Sequence, residues 1–330
     1  MPNWVANKLV FEDDDDLLRF VNKYCVSEVY DNAGNYCGDK HGLNLSTVDE
    51  IDDLDSIYLD FNKAKKMPAV LGISSGSATA ACKEVVDDFQ RAGVVVNLEN
   101  INFLRFKRDL AKVYGSDFVL WDKKFAPLLY GAEREEVVKL VDVPEIAKEM
   151  PMTNAIFSDK KYSDYNVFSD KLSAKSFTSL SEKEFCRVFV FAMELGTMML
   201  KSVEKYGACD WYAWCCNNWG TKWNAHDCYV CTSDHCIEFQ TAWNMPDGVY
   251  VEMAAQNPDV YFEIKWADED TGYNVGHGYN EGGNFSFDYY DDTSKDAYEV
   301  AANLWGFDLE EEGYKFSEEQ NTYIYEDDEE

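Results

Sequence analysis

Basic residues are scarce in this 330-residue chain: 30 Lys and Arg stand against 62 Asp and Glu, a formal net charge of −32. The phosphate-neutralising footprint of a nucleic-acid binder is missing, so direct nucleic-acid binding is not expected. Attraction to an anionic membrane surface is disfavoured for the same reason. Cations, neutral surfaces and basic proteins remain as partners. Long apolar runs are also absent. The longest strongly apolar stretch, about Val188 to Met193, is far short of the ~20 residues that span a bilayer. No secretory apolar region precedes the acids Glu12 to Asp16, so a cytoplasmic location with ten reduced cysteines is expected.

Core-forming residues are plentiful. The chain is 46% hydrophobic and 15% aromatic, whereas a disordered acidic segment is poor in both. Its length predicts about two domains. Trp4 to Phe11 reads as a strand, and Asp13 to Asp16 supply cap and first-turn acids to a helix through Leu17, Leu18, Phe20 and Val21. Residues 30 to 66 are turn-rich and receive no firm assignment. Ala69 to Ile73 and Val94 to Val96 read as short strands, with a helix from Ala78 to Ala92 between them and another over Ile101 to Tyr114. The strongest local signal is a helix over Glu182 to Tyr206, opened by the capping box Ser181-x-x-Glu184 and ended by Gly207. Strands at Cys228–Thr232, Cys236–Ala242, Val260–Trp266 and Phe285–Tyr289 follow, with helices at Gly248–Ala255 and Lys295–Leu304. The acids Glu310–Glu312 and Glu326–Glu330 make an acidic, partly mobile end.

Two spacings suggest chemistry. Gly72-Ile73-Ser74-Ser75-Gly76 fits the nucleophile-elbow pattern, with His226, His235 and His277 downstream, yet small residues equally suit a plain loop. His226-x-Cys228-x-x-Cys231-x-x-x-His235 has zinc-like spacing, although strand geometry turns Cys228 and Cys231 to opposite faces. A second Cys-x-x-Cys pair and an Asp-x-Asp-x-Asp-Gly loop are both missing. The Asp13–Asp16 cluster reads first as a solvated acidic face. Trp211, Trp214, Trp219, Trp223 and Trp243 crowd one region, where core packing or a protein interface is the expected use.

Met1-Pro2-Asn3-Trp4, Asn218-Trp219-Gly220-Thr221-Lys222-Trp223-Asn224 and Thr241-Ala242-Trp243-Asn244-Met245-Pro246 resemble the YubB-type ferredoxin-like domain family of phages, plasmids and genomic islands. The resemblance covers roughly residues 1–25 and 180–290. Where the family usually carries a Pro pair after Thr241-Ala242-Trp243, only Pro246 stands here. The resemblance implies an α+β fold with a split βαββαβ antiparallel sheet. Its pieces would be the strand at Trp4, the helix at Glu182, the hairpin through Ala242, the helix at Gly248 and the strand at Val260. The expected domains are residues 1–29 plus 176–290 as a discontinuous core, 30–175 as an insertion, and 291–330 as a terminal helix and acidic tail. Trp4, Trp219, Gly220, Lys222, Trp223 and Trp243 are expected to hold the sheet together, with Lys222 stacked between Trp219 and Trp223. The family brings no established activity.

The expected function is therefore non-enzymatic and cofactor-free. A phage or mobile-element protein would bind and inhibit a host protein, a nucleic-acid-processing defence factor, through an acidic and DNA-mimicking surface. Asp13, Asp14, Asp15, Asp16, Glu326, Asp327 and Asp328 are the candidate partner-binding residues, and a homo-oligomer is compatible. The alternatives are a zinc hydrolase using His226, Cys228, Cys231 and His235, a serine hydrolase using Ser74, and a virion assembly protein.

Overall fold

The computed structural model describes residues 3–31, 35–52, 54, 56–72, 77–98, 103–116, 118–131, 144–150, 152 and 175–326. The first elements are β1 (Trp4–Phe11), α1 (Asp14–Tyr24), β2 (Cys25–Tyr30), β3 (Tyr36–Lys40), α2 (Asp49–Asp52), β4 (Ile57–Leu59) and α3 (Phe61–Ala64). A helical stretch follows, with α4 (Ser77–Arg91), α5 (Phe103–Tyr114), α6 (Phe118–Gly131), α7 (Pro144–Glu149), α8 (Glu182–Tyr206) and α9 (Trp211–Asn218). The last part holds β5 (His226–Cys231), β6 (Cys236–Ala242), α10 (Asp247–Gln256), β7 (Phe262–Asp268), β8 (Gly276–Glu281), β9 (Asn284–Tyr289), α11 (Lys295–Trp305), β10 (Tyr314–Ser317) and β11 (Thr322–Tyr325).

These elements gather into two units: Met1–Lys66 with Cys215–Glu330, and Met67–Trp214. The first is built on a six-stranded sheet in the order β5-β6-β1-β7-β8-β9, every neighbouring pair antiparallel. Taken in chain order, β1, β5, β6 and β7 stand as 2-3-1-4, the split βαββαβ arrangement, with β8 and β9 added beyond β7. The fold is α+β and its core is ferredoxin-like. Along β1, Val5, Leu9 and Phe11 are fully or almost fully buried on one face. The two residues after Phe11 are polar, and Asp13 caps α1 by accepting from the Asp16 amide at 3.0 Å. Leu17, Phe20, Val21 and Tyr24 then fall on one side of α1 and are buried. Phe20 packs 4.8 Å from Phe11 and 5.5 Å from Phe262 of β7.

The crossover helix of this core is thus α1, not the helix at Glu182. A helix that starts two residues after β1 reaches the sheet without a long connection. The domain boundaries move accordingly. Residues 30–66 fall in the first unit and not with the insertion expected over 30–175: β2, β3 and β4 form a three-stranded sheet in the order β3-β2-β4 there. The terminal segment belongs there too. Trp305 of α11 donates its Nε1–H to the Ala267 and Asp268 carbonyls at 3.2 and 3.0 Å. Tyr298 packs against Tyr314 and Tyr323 of the β10–β11 hairpin. That hairpin, inside the acidic end, and β8 have no counterpart in the sequence reading.

The second unit is helical where described. Glu182–Tyr206 forms α8 as the capping box predicts, with both reciprocal Ser181–Glu184 bonds present, and Gly207 ends it at φ 73°. Phe89, Phe125, Phe177, Phe185 and Phe189 are among its fully buried side chains. Gly196 lets α8 meet α4, because a Cβ there would lie 2.2 Å from the Cys82 carbonyl oxygen. Ala69–Gly72 is a 3-10 turn rather than a strand, and Val94–Val96 forms no strand. In each case a short apolar run packs a helical core instead, an ambiguity that periodicity over so few residues leaves open.

Candidate binding surface

The segment Trp219 to Ala225 links α9 to β5, and its sequence fixes its path. Gly220 takes φ 86°, and a Cβ there would sit 2.0 Å from Asp247 Oδ1. Gly248 is as constrained, its Cβ position lying 2.0 Å from the Asn218 carbonyl oxygen. Only glycine allows these two backbones to touch. Thr221 donates its hydroxyl to the Ala242 carbonyl at 2.8 Å and is buried. The Asn224 carboxamide accepts the Phe61 amide at 2.8 Å. Trp219 is buried, edge-on to Phe61 at 5.6 Å, and its Nε1–H donates to the Lys65 carbonyl at 2.8 Å.

With Trp219 buried, its neighbours come to the surface. Lys222 Nζ lies 4.2 Å from the Trp223 ring and 4.9 Å from the Trp243 ring. The second ring is Trp243, not Trp219 as the sequence suggests. Trp243 stands at φ 75° just past β6, with its amide donating to the Asn3 carbonyl at 2.8 Å. The Trp4 ring centre is 6.0 Å from Trp223 and 5.1 Å from His226. Trp223 and Trp243 keep 36% and 40% of their surface exposed. The three motifs therefore converge at one end of the sheet as an aromatic surface of Trp4, Trp223, Trp243 and His226 with a cation among the rings. Single charged residues and periodicity carry no signal for this convergence.

The zinc-like set does not assemble. His226 contacts Trp4 and bonds Asp227 Oδ1 at 3.1 Å. A bulge between His226 and Tyr229 turns the Cys228 thiol inward, where burial pushes it up to about 12. It lies beside Cys25, which burial also raises. Cys231 Sγ is 3.3 Å from Ser233 Oγ, and His235 Nε2 is 3.1 Å from Asp14 Oδ1. Among the described residues no group of three or more His, Cys, Asp or Glu could hold a metal ion. Ser74 of the elbow pattern lies outside the described residues, as do Asp327 and Asp328.

The acidic candidates have local duties. Asp13 is the cap of α1 and Asp14 meets His235. Burial, and then Asp13, raise the Asp16 carboxyl. Asp15 is exposed. Glu326 pairs with Lys315 across the terminal hairpin.

Sequence reasoning also missed a buried polar chain. Asn7 Nδ2 donates to Thr241 Oγ1 at 2.9 Å, the Thr241 hydroxyl donates to the Asn244 carbonyl at 2.8 Å, and Tyr250 donates to Asn7 Oδ1 at 3.2 Å. It ties β1, β6 and α10 and explains Thr241 and Asn244 of the third motif.

With this geometry in place, the comparisons are specific about one part of the chain. Residues 218–325 match the family described as "Ferredoxin-like domain in Api92-like protein". Over those residues the chain is similar to the ferredoxin-like domain of Api92-like proteins. The matched Api92-like segment includes β5 to β11 but not β1, so the strand at the centre of its sheet is supplied from the N-terminal residues 4–11. The crystal structure of protein api92 from Yersinia pseudotuberculosis aligns with 88% of this chain and 99% of that one, at 12% identity and a TM-score of 0.28. No curated protein matches the chain. No helix among the described residues is long and apolar enough to cross a membrane.

Proposed function

We propose that this chain is a non-enzymatic interaction protein of a phage or other mobile element, of the YubB-type ferredoxin-like kind. It acts in the host cytoplasm, where it binds and inhibits an antiviral defence nuclease or its complex. The observation that carries this reading is the charge of −32 on a folded, aromatic-rich chain. A field of that sign draws in basic, nucleic-acid-binding surfaces and rejects nucleic acid itself. The exposed Trp223–Lys222–Trp243 group supports it as an anchor, since aromatic residues dominate the energetics of protein interfaces.

The test is capture of host proteins by the tagged full chain from infected lysate at low and moderate salt, read by mass spectrometry. The expected result is one host nucleic-acid-processing protein in stoichiometric amount, lost as salt rises, because exposed charge pairs are screened within ~8 Å at physiological ionic strength. Loss of that capture in Trp223→Ala would place the anchor. A partner held equally at all salts overturns the acidic mimicry, and the absence of any such partner overturns the inhibitor.

A further inference from the structure

Cys231 of β5 and Cys236 of β6 are direct partners in the hairpin register. Their pairing type follows from the next strand. The Phe11 amide donates to the His235 carbonyl at 2.9 Å, flanking the Val10–Cys236 pair of β1 and β6. Val10 and Cys236 are therefore a non-hydrogen-bonded pair, and the amide and carbonyl of Cys236 turn toward β5. Cys231 and Cys236 are then a hydrogen-bonded pair, whose Cα atoms stand about 5.5 Å apart. Disulfides form at Cα separations of roughly 4.4–6.8 Å, and directly opposed residues share a face of the sheet. Both carry free thiols, and the Cys236 thiol feels the charge of Cys231. Cys231 Sγ is 3.3 Å from Ser233 Oγ, and Cys236 Sγ is 3.9 Å from Glu238 Oε1.

We propose that Cys231 and Cys236 are an intrachain oxidation site that a small-molecule disulfide of the glutathione class converts to a cross-strand disulfide. Cys231 is the less buried of the two and is the first to react. Its thiolate attacks one sulfur of the oxidant, the oxidant's S–S bond breaks, and one glutathione leaves as a thiol after taking a proton. Cys236 then gives its proton to solvent and attacks Cys231 Sγ, releasing the second glutathione. The protein loses two protons and two electrons, and one small disulfide becomes two thiols. The bond closes only the short loop between adjacent strands, so it gains little from loop entropy and is readily reversed. Its effect is to clamp the hairpin that carries His235 and the exposed Tyr229.

The experiment incubates the full chain over a series of reduced-to-oxidised glutathione ratios, blocks remaining thiols by alkylation, and maps the peptides by mass spectrometry. The expected result is a peptide spanning both cysteines that is lighter by two hydrogens and unalkylated, restored by mild thiol. Cys231→Ser and Cys236→Ser should each abolish that species. Double alkylation of this peptide in folded protein at every ratio overturns the proposal, as does a disulfide at another pair such as Cys25 and Cys228. Wild-type mapping decides the matter even if a serine variant does not fold.

Discussion

The ring of Trp266 lies over Gly276 so closely that a Cβ on Gly276 would sit 2.1 Å from Trp266 Cζ2. The two residues are register partners on β7 and β8. Trp266 is fully buried and is flanked by Tyr289 at 5.3 Å and Phe287 at 6.1 Å. The glycine makes room for an indole that covers it, and the aromatic row on β9 walls it in. Gly276→Ala should destabilise the protein by about 2–3 kcal/mol through overpacking. Adding Trp266→Phe should recover part of that loss, because contacting residues couple. Urea unfolding of the wild type, the two single variants and the double variant measures both effects, and strict additivity would refute the contact.

Gly220→Ala should cost about 1–3 kcal/mol, since a side chain at φ 86° is strained and also meets Asp247. Asp247→Ala in the same background should relieve the clash but not the strain. Thermal and urea unfolding check whether the recovery is partial, as expected, rather than complete.

The role of Asp13 separates structure from binding. As the cap of α1, its change to Ala should lower stability by about 1 kcal/mol. Asp13→Ser, which caps equally well, should restore stability while still removing the charge. A stability loss in both variants would show that charge, rather than capping, is what Asp13 contributes.

Removing the cation between the two exposed rings is a milder change. Lys222→Ala should cost about 0.5–1 kcal/mol and alter the near-UV circular dichroism of Trp223 and Trp243. An unchanged spectrum would show that the rings are not held by Lys222.

Alkaline pH should loosen the first unit. Burial raises the Cys228 and Cys236 thiols and the Tyr24 phenol to about 12, against 9.0 and 10.0 for the groups in an unfolded chain. In the folded state these groups hold their protons longer. Their contribution is therefore whole below about pH 9 and is lost as pH rises toward 12, where the unfolded chain has already released its protons. Urea midpoints from pH 8 upward should fall, and Tyr24→Phe should make the fall shallower above pH 10. A flat profile would contradict the burial of all three.

Much of this fold was legible locally. The capping box at Ser181, the stop at Gly207, the strand at Trp4 and the helix after Asp13 are each written in residues a few positions apart, and local hydrogen bonding suffices to form them. The antiparallel α+β core was legible as what the resemblance of the Trp4, Trp219–Trp223 and Trp243 motifs implies. What failed was assignment over distance. The resemblance implied a crossover through the helix at Glu182, while packing assigns it to α1, since Phe20 sits where Phe11 and Phe262 can bury it. The His226, Cys228, Cys231 and His235 spacing was visible, yet a bulge and the strand alternation sent the four side chains in different directions. Conversely, nothing local joins Trp4 to Trp223 or Lys222 to Trp243. The sequence by itself determined which segments fold and what charge they carry; the tertiary structure decided which of those side chains meet, because pairing register and burial act between residues hundreds of positions apart.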